Sequence, residues 1–209
     1  MQHQDLASLN LLDADELFAL GLRASASGDG GPALAYLKLA LSKAPAHAKA
    51  HWAIATEYAA LRMPDRAAEH FARAVTLDPT QPVARFQYGL LHLSSGDAAQ
   101  ARALWEPLDE LPADSPLRLF KDGLLHMVRD EFDQALASLE AGLAHPEVLG
   151  PLRRDMEMAV SRIRGVMQVA AQNGGAAADA GQTDEDVLVQ SHLALSAYAT
   201  GGSGGGRTG

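Results

Sequence analysis

The chain has 209 residues and no cysteine, carries a formal net charge of −9, and is 47% apolar but only 5% aromatic. That balance excludes a disulfide scaffold, a thiolate metal centre and a cysteine nucleophile, and it lacks the basic footprint of a nucleic-acid binder. The N-terminus has no basic start and no sustained apolar run. No stretch approaches the ~20 apolar residues of a spanning helix, so the expected protein is soluble and cytoplasmic, with no membrane span.

Residues 1–13 read as an N-terminal extension with a short apolar set, Leu6, Leu9, Leu11 and Leu12. Asp13 has the side chain of an N-cap, and Glu16 three residues on completes the pattern of a capping box. From there a skeleton recurs every 34 residues, in blocks 14–47, 48–81, 82–115 and 116–149. The eighth residue of each block is small: Gly21, Ala55, Gly89 and Gly123. The twentieth is always alanine, at Ala33, Ala67, Ala101 and Ala135. The twenty-fourth is large, at Leu37, Phe71, Trp105 and Leu139. Breaks fall mid-block at Gly28-Asp29, Met63-Pro64, Gly96-Asp97 and Asp130-Glu131. Prolines fall near the block ends, at Pro45, Pro79, Pro112 and Pro146.

Two helices per block follow. Small residues opposite one another let an antiparallel pair touch closely, and the large residue a turn later is expected to fill the gap toward the next block. The closing proline ends the second helix. A period of this length marks a solenoid of stacked units. Ala67, Phe71, Ala74 and Pro79, followed by Tyr88-Gly89, resemble the motif of the tetratricopeptide repeat family, and the resemblance covers about two thirds of the chain. It implies an all-α, right-handed superhelical array of four helical hairpins. It says little about the pathway, because one fold hosts many functions.

Two departures stand out. Pro107 falls where the second helix of the third block should still run, so that helix is expected to end or kink near Glu106, with 107–115 irregular. The column Leu20, Ile54, Tyr88, Asp122 ends in a charge, for which His126 one turn on is the expected hydrogen-bond partner. After Gly150-Pro151, Leu152, Met156, Val160, Ile163, Met167 and Ala170 share one helical face, while Arg153, Arg154, Glu157 and Arg164 are expected to face away. This predicts a capping helix over 150–172, since a solenoid needs a polar-faced end. Residues 173–182 read as a flexible linker, 183–200 as an amphipathic helix capped by Thr183, and 201–209 as a disordered Gly-rich tail.

In the family the first helix of each repeat lines an inner groove. By that resemblance the fifth residue of each block faces it: Phe18, Trp52, Phe86 and Phe120, all aromatic. Leu22, Leu90 and Leu124 follow one turn on, and Leu93 and Met127 beyond them. Two readings are open. The row packs between neighbouring repeats, or it forms an exposed apolar patch for an amphipathic helix or extended segment. At ~1.5–3 kcal/mol per buried anchor, two or three anchors less the ordering cost give binding of roughly micromolar strength.

Family members that hold chaperone carboxyl termini line this wall with Lys, Arg and Asn. Here Phe18, Leu22, Ala53, Val83 and Gln87 stand there instead, which is more similar to bacterial secretion chaperones of the family. The implied function is a non-enzymatic adaptor or chaperone for a protein or peptide ligand. One alternative is a scaffold whose own C-terminal helix fills the groove through Val187, Leu188, Leu195 and Tyr198, or exchanges between chains to make a dimer. Another is a regulatory subunit of an enzyme.

No catalytic constellation and no cofactor motif emerges. Gly28-Asp29-Gly30-Gly31 lacks the Lys-Ser/Thr of a phosphate loop, and no serine sits in a nucleophile elbow. His92 and His126 share a column, and Asp122, His126 and Asp130 share a helix face. That column also holds Ala24 and Tyr58, so packing is expected there and no metal.

Overall fold

The computed structural model describes residues 9–148 and 150–177, which form nine α-helices and one 3-10 turn. The helices are α1 (Ala14–Ala26), α2 (Gly30–Lys43), α3 (Ala48–Ala60), α4 (Pro64–Leu77), α5 (Pro82–Ser94), α6 (Ala98–Trp105), α7 (Pro116–Val128), α8 (Phe132–Leu143) and α9 (Gly150–Ala177). The 3-10 turn, Glu106–Glu110, follows α6 directly. The odd-numbered helices begin at 14, 48, 82, 116 and 150, so the period of 34 extends to α9. The chain divides into two compact units between Leu91 and His92.

The capping box at α1 is present in full. Glu16 N donates to Asp13 Oδ1, and Asp13 N donates to Glu16 Oε2, both at 2.8 Å. Each mid-block break is the same helix stop. The amides of Asp29, Met63, Asp97 and Glu131 reach back five residues to the carbonyls of Ala24, Tyr58, His92 and His126. The amides of Gly28, Arg62, Gly96 and Asp130 reach back three. This is the Schellman arrangement, which needs its penultimate residue in the left-handed region. Gly28 and Gly96 adopt φ of 80° and 84° without penalty, whereas Arg62 and Asp130 adopt 56° and 58° as L-residues.

In the first unit α1 pairs with α2, and α3 with α4. Ala33, Leu37, Ala55, Ala67 and Phe71 are all 0–2% exposed. Leu37 lies directly over Gly21. A Cβ at Gly21 would meet Leu37 Cγ at 2.6 Å, so the eighth position must be small. In the second unit Gly123 sits under Leu139 in the same way, with a Cβ meeting Leu139 Cγ at 2.7 Å. The large residue of each pair thus fills the notch in its own hairpin. Leu37 also joins Ala53, Ile54 and Tyr58 of the next one, so it fills both spaces.

The first residues of the odd-numbered helices tie down the joint before them. His51 Nε2 lies 3.0 Å from the Pro45 carbonyl, and Arg85 Nη2 donates to Pro79 O at 3.2 Å. Arg118 donates to the carbonyls of Asp109 and Leu111. Arg153 donates to those of Leu143 and His145. The arginines suit these carbonyls, which lie at or just past the ends of the preceding helices and have no helical donor.

Several expectations are corrected. Arg153 does not face away but holds the end of α8. Pro107 does end α6, after Trp105, yet the chain continues as a 3-10 turn that buries Leu108 to 2% exposure. His126 Nδ1 lies 2.5 Å from Glu131 Oε2, while Asp122 Oδ1 lies 3.0 Å from Lys121 Nζ, so the expected Asp122–His126 pair gives way to two others. In α9, Leu152, Met156, Val160 and Ile163 are buried, whereas Ala170 is exposed. That helix runs on to Ala177, so the expected linker at 173–182 gives way to helix over 173–177, and 178–182 lie outside the described residues. The expected helix at 183–200, with Val187, Leu188, Leu195 and Tyr198, and the tail 201–209 lie outside the described residues.

Candidate peptide-binding face

The predicted row divides by burial. Phe86, Phe120 and Leu124 are 0% exposed and Met127 is 7% exposed, so these four are core side chains and offer a ligand nothing. Phe120 shows why. Its ring lies against Gly142 of α8, where an added Cβ would stand 2.4 Å from Cε1 and 2.7 Å from Cδ1. A missing side chain on one helix seats an aromatic from the other.

The first two members of the row differ. Phe18 and Trp52 are half-buried, and both pack on the cluster that contains Leu37, Ile54 and Phe71. Leu22, one turn beyond Phe18, is 37% exposed. Trp52 Nε1 donates to Gln87 Oε1 at 2.6 Å, which fixes the indole between α3 and α5. The Phe18 ring lies 5.1 Å from that of His47, which in turn bonds Asp15 at 3.0 Å. Leu90 and Leu93 on α5 are half-buried. The structure therefore brings Phe18 and Trp52 together over one core, with Leu22 open to solvent beside Phe18.

Sequence reasoning missed a second cluster on the same unit. His51 Nδ1 lies 3.0 Å from His70 Nδ1, joining α3 to α4. The Tyr58 ring lies 5.7 Å from that of His70, with Lys38 Nζ at 5.5 Å and Arg66 Cζ at 5.6 Å from its centroid. Bonding to Lys38 is the main cause that lowers the Tyr58 pKa. Burial first, then His51, holds His70 below the ordinary imidazole range. His51 and His70 are 19 apart in sequence, so no local spacing announces the pair.

In the second unit the early end of α6 leaves an open cleft of about 410 Å³ lined by Arg102, Trp105, Glu106, Asp109 and Lys121. Lys121 is buried to 4% exposure and already pairs with Asp109 and Asp122, so the cleft's buried charge is spent on holding the 3-10 turn. His92, placed with His126 in the sequence, has Nδ1 3.6 Å from Asp97 Oδ2, a contact across its own turn. Among the described residues no helix is long and apolar enough to cross a membrane.

No curated protein matches the chain. A family model described as tetratricopeptide repeat matches residues 58–121, from the end of α3 into α7. Its span carries the Ala67–Phe71 pair, two of the four Schellman turns and the small Gly89. Residues 58–121 are thus similar to tetratricopeptide repeats, and the consecutive helix pairs on a period of 34 agree with a solenoid of that kind.

Proposed function

We propose that the protein is an adaptor that holds an apolar segment of another protein against the odd-numbered helices of its first unit, through Phe18, Leu22 and Trp52. Repeats of this family serve protein–protein interaction, and that general role is the starting point. The observation that carries the finer reading is the contrast within one column. Phe86 and Phe120 are sealed in the core, whereas Phe18 and Trp52 keep solvent-facing surface and Leu22 stands open beside them. A half-buried Trp held by a hydrogen bond to Gln87 is pre-organised, so little ordering cost is left to binding. Trp and Phe are among the side chains enriched in the cores of protein interfaces.

Selection of peptides from a displayed library against the intact chain tests the reading. Enriched sequences share two or three spaced apolar anchors, and the selected peptides change the emission of Trp52; Trp105, fully buried, serves as the internal control. Leu22→Asp abolishes both effects while leaving the helical circular dichroism intact. Enrichment of acidic or basic sequences, or binding that Leu22→Asp leaves unchanged, refutes it.

A further inference from the structure

We propose that His51 and His70 form a two-nitrogen site for a late first-row divalent metal ion, such as Zn²⁺, Ni²⁺ or Cu²⁺, which cross-links α3 to α4. Other histidines of the described chain face carboxylates: His47 meets Asp15, His92 meets Asp97, His126 meets Glu131 and His145 meets Glu147. His51 and His70 instead turn ring nitrogens toward each other at 3.0 Å. Two imidazole nitrogens on one metal, each bonded at ~2.0–2.1 Å and subtending ~90–110°, stand ~2.9–3.4 Å apart. The observed separation falls in that range before any metal arrives.

The supporting contact is the one metal-binding imidazoles use. His51 Nε2 lies 3.0 Å from the Pro45 carbonyl, which can only accept, so the proton of a neutral His51 sits on Nε2 and the Nδ1 lone pair faces His70. That bond also fixes the ring plane, leaving His70 to adjust by turning its ring and moving its proton to Nε2. That proton having moved, the His70 ring swings aside and a metal seats off the line between the two nitrogens, with both imidazoles neutral. Imidazole pairs suit Zn, Ni and Cu, whereas Mg and Ca demand oxygen ligands. The surrounding charges are mixed. Lys38 and Arg66 stand over the Tyr58 ring, and Glu69 on α4 lies next to His70. No third His, Cys, Asp or Glu completes a cluster among the described residues, so water fills the remaining positions.

The test uses the full chain stripped with chelator and titrated with zinc, then nickel, while histidine ring signals are followed by long-range ¹H–¹⁵N spectra. The expected result is one equivalent bound, with the Nδ1 signals of both His51 and His70 shifting together and those of His47, His92 and His126 unmoved. His70→Gln, which keeps a hydrogen-bonding side chain, weakens the binding by about tenfold or more. Ring signals of His51 and His70 unmoved at tenfold metal excess overturn the proposal. So does metal binding that His70→Gln leaves unchanged, since the ion is then held elsewhere. If the variant fails to fold, the wild-type ring signals alone decide.

Discussion

Gly142→Ala asks directly whether Phe120 is core or groove, and the answer is a sign. Alanine has the better helix propensity, so in an open helix interior the substitution stabilises by ~0.8–1 kcal/mol. Here the new Cβ stands 2.4 Å from Phe120 Cε1, 2.7 Å from Cδ1 and 3.2 Å from Cζ, where carbon atoms rest at ~3.5–4 Å. The ring must retreat by roughly 1 Å, and Phe120 is 0% exposed, so nothing around it yields easily. Overpacking of this kind costs about 1–3 kcal/mol. With three ring atoms inside contact distance the upper half of that range applies, and the net loss after the propensity gain is ~1–2 kcal/mol. Urea denaturation followed by circular dichroism measures it. A second variant, Phe120→Leu with Gly142→Ala, recovers part of the loss, giving a coupling above ~0.5 kcal/mol. If Gly142→Ala stabilises the protein by ~1 kcal/mol, Phe120 is not seated in the glycine notch and the division of the aromatic row is wrong.

Arg62→Gly relieves an L-residue held at φ 56° and raises stability by ~1 kcal/mol, read as a higher midpoint in the same urea titration; no change means the turn relaxes at no cost. Asp13→Ala removes the bond that Glu16 N donates to the Asp13 carboxylate, leaves the backbone half of the capping box in place, and lowers stability by ~1 kcal/mol, with faster amide exchange in the first turn of α1. Burial raises the pKa of Asp155, with Arg154 opposing, so the folded chain takes up that proton at higher pH than the unfolded chain does. The penalty on its carboxylate is therefore full above the folded pKa, shrinks as pH falls through it and is gone below the unfolded pKa. Asp155→Asn is expected to raise the melting temperature at about pH 7 and to lose that advantage near pH 4. An advantage that grows on acidification contradicts the sign.

The repeat was legible because its determinants are local and recur at fixed offsets. Alanine at the twentieth position and a small residue at the eighth are demanded by helix contact, and both columns turned out buried. The turn at Arg62 was harder to read. Its left-handed backbone follows from register with Gly28 and Gly96, not from its own side chain. The aromatic row was placed on the correct helices, but its exposure depends on the residue across the hairpin. Phe120 sinks because Gly142 leaves room, and a sequence column does not display its opposite number. Arg153 was misassigned for a related reason. Polarity suggested solvent, while the carbonyls at the end of α8 offered it a better partner. The His51–His70 contact had no sequence signal at all, being made between two helices.

The half-buried aromatic face of the first unit is proposed to capture a protein. Affinity capture from the source cell with mass spectrometry, comparing wild type with a folded Leu22→Asp/Trp52→Ala variant, tests it most directly. The expected result is at least one protein retained by wild type and lost by the variant, while Glu157→Gln, on an exposed position of α9, retains it. An identical set retained by all three contradicts the account.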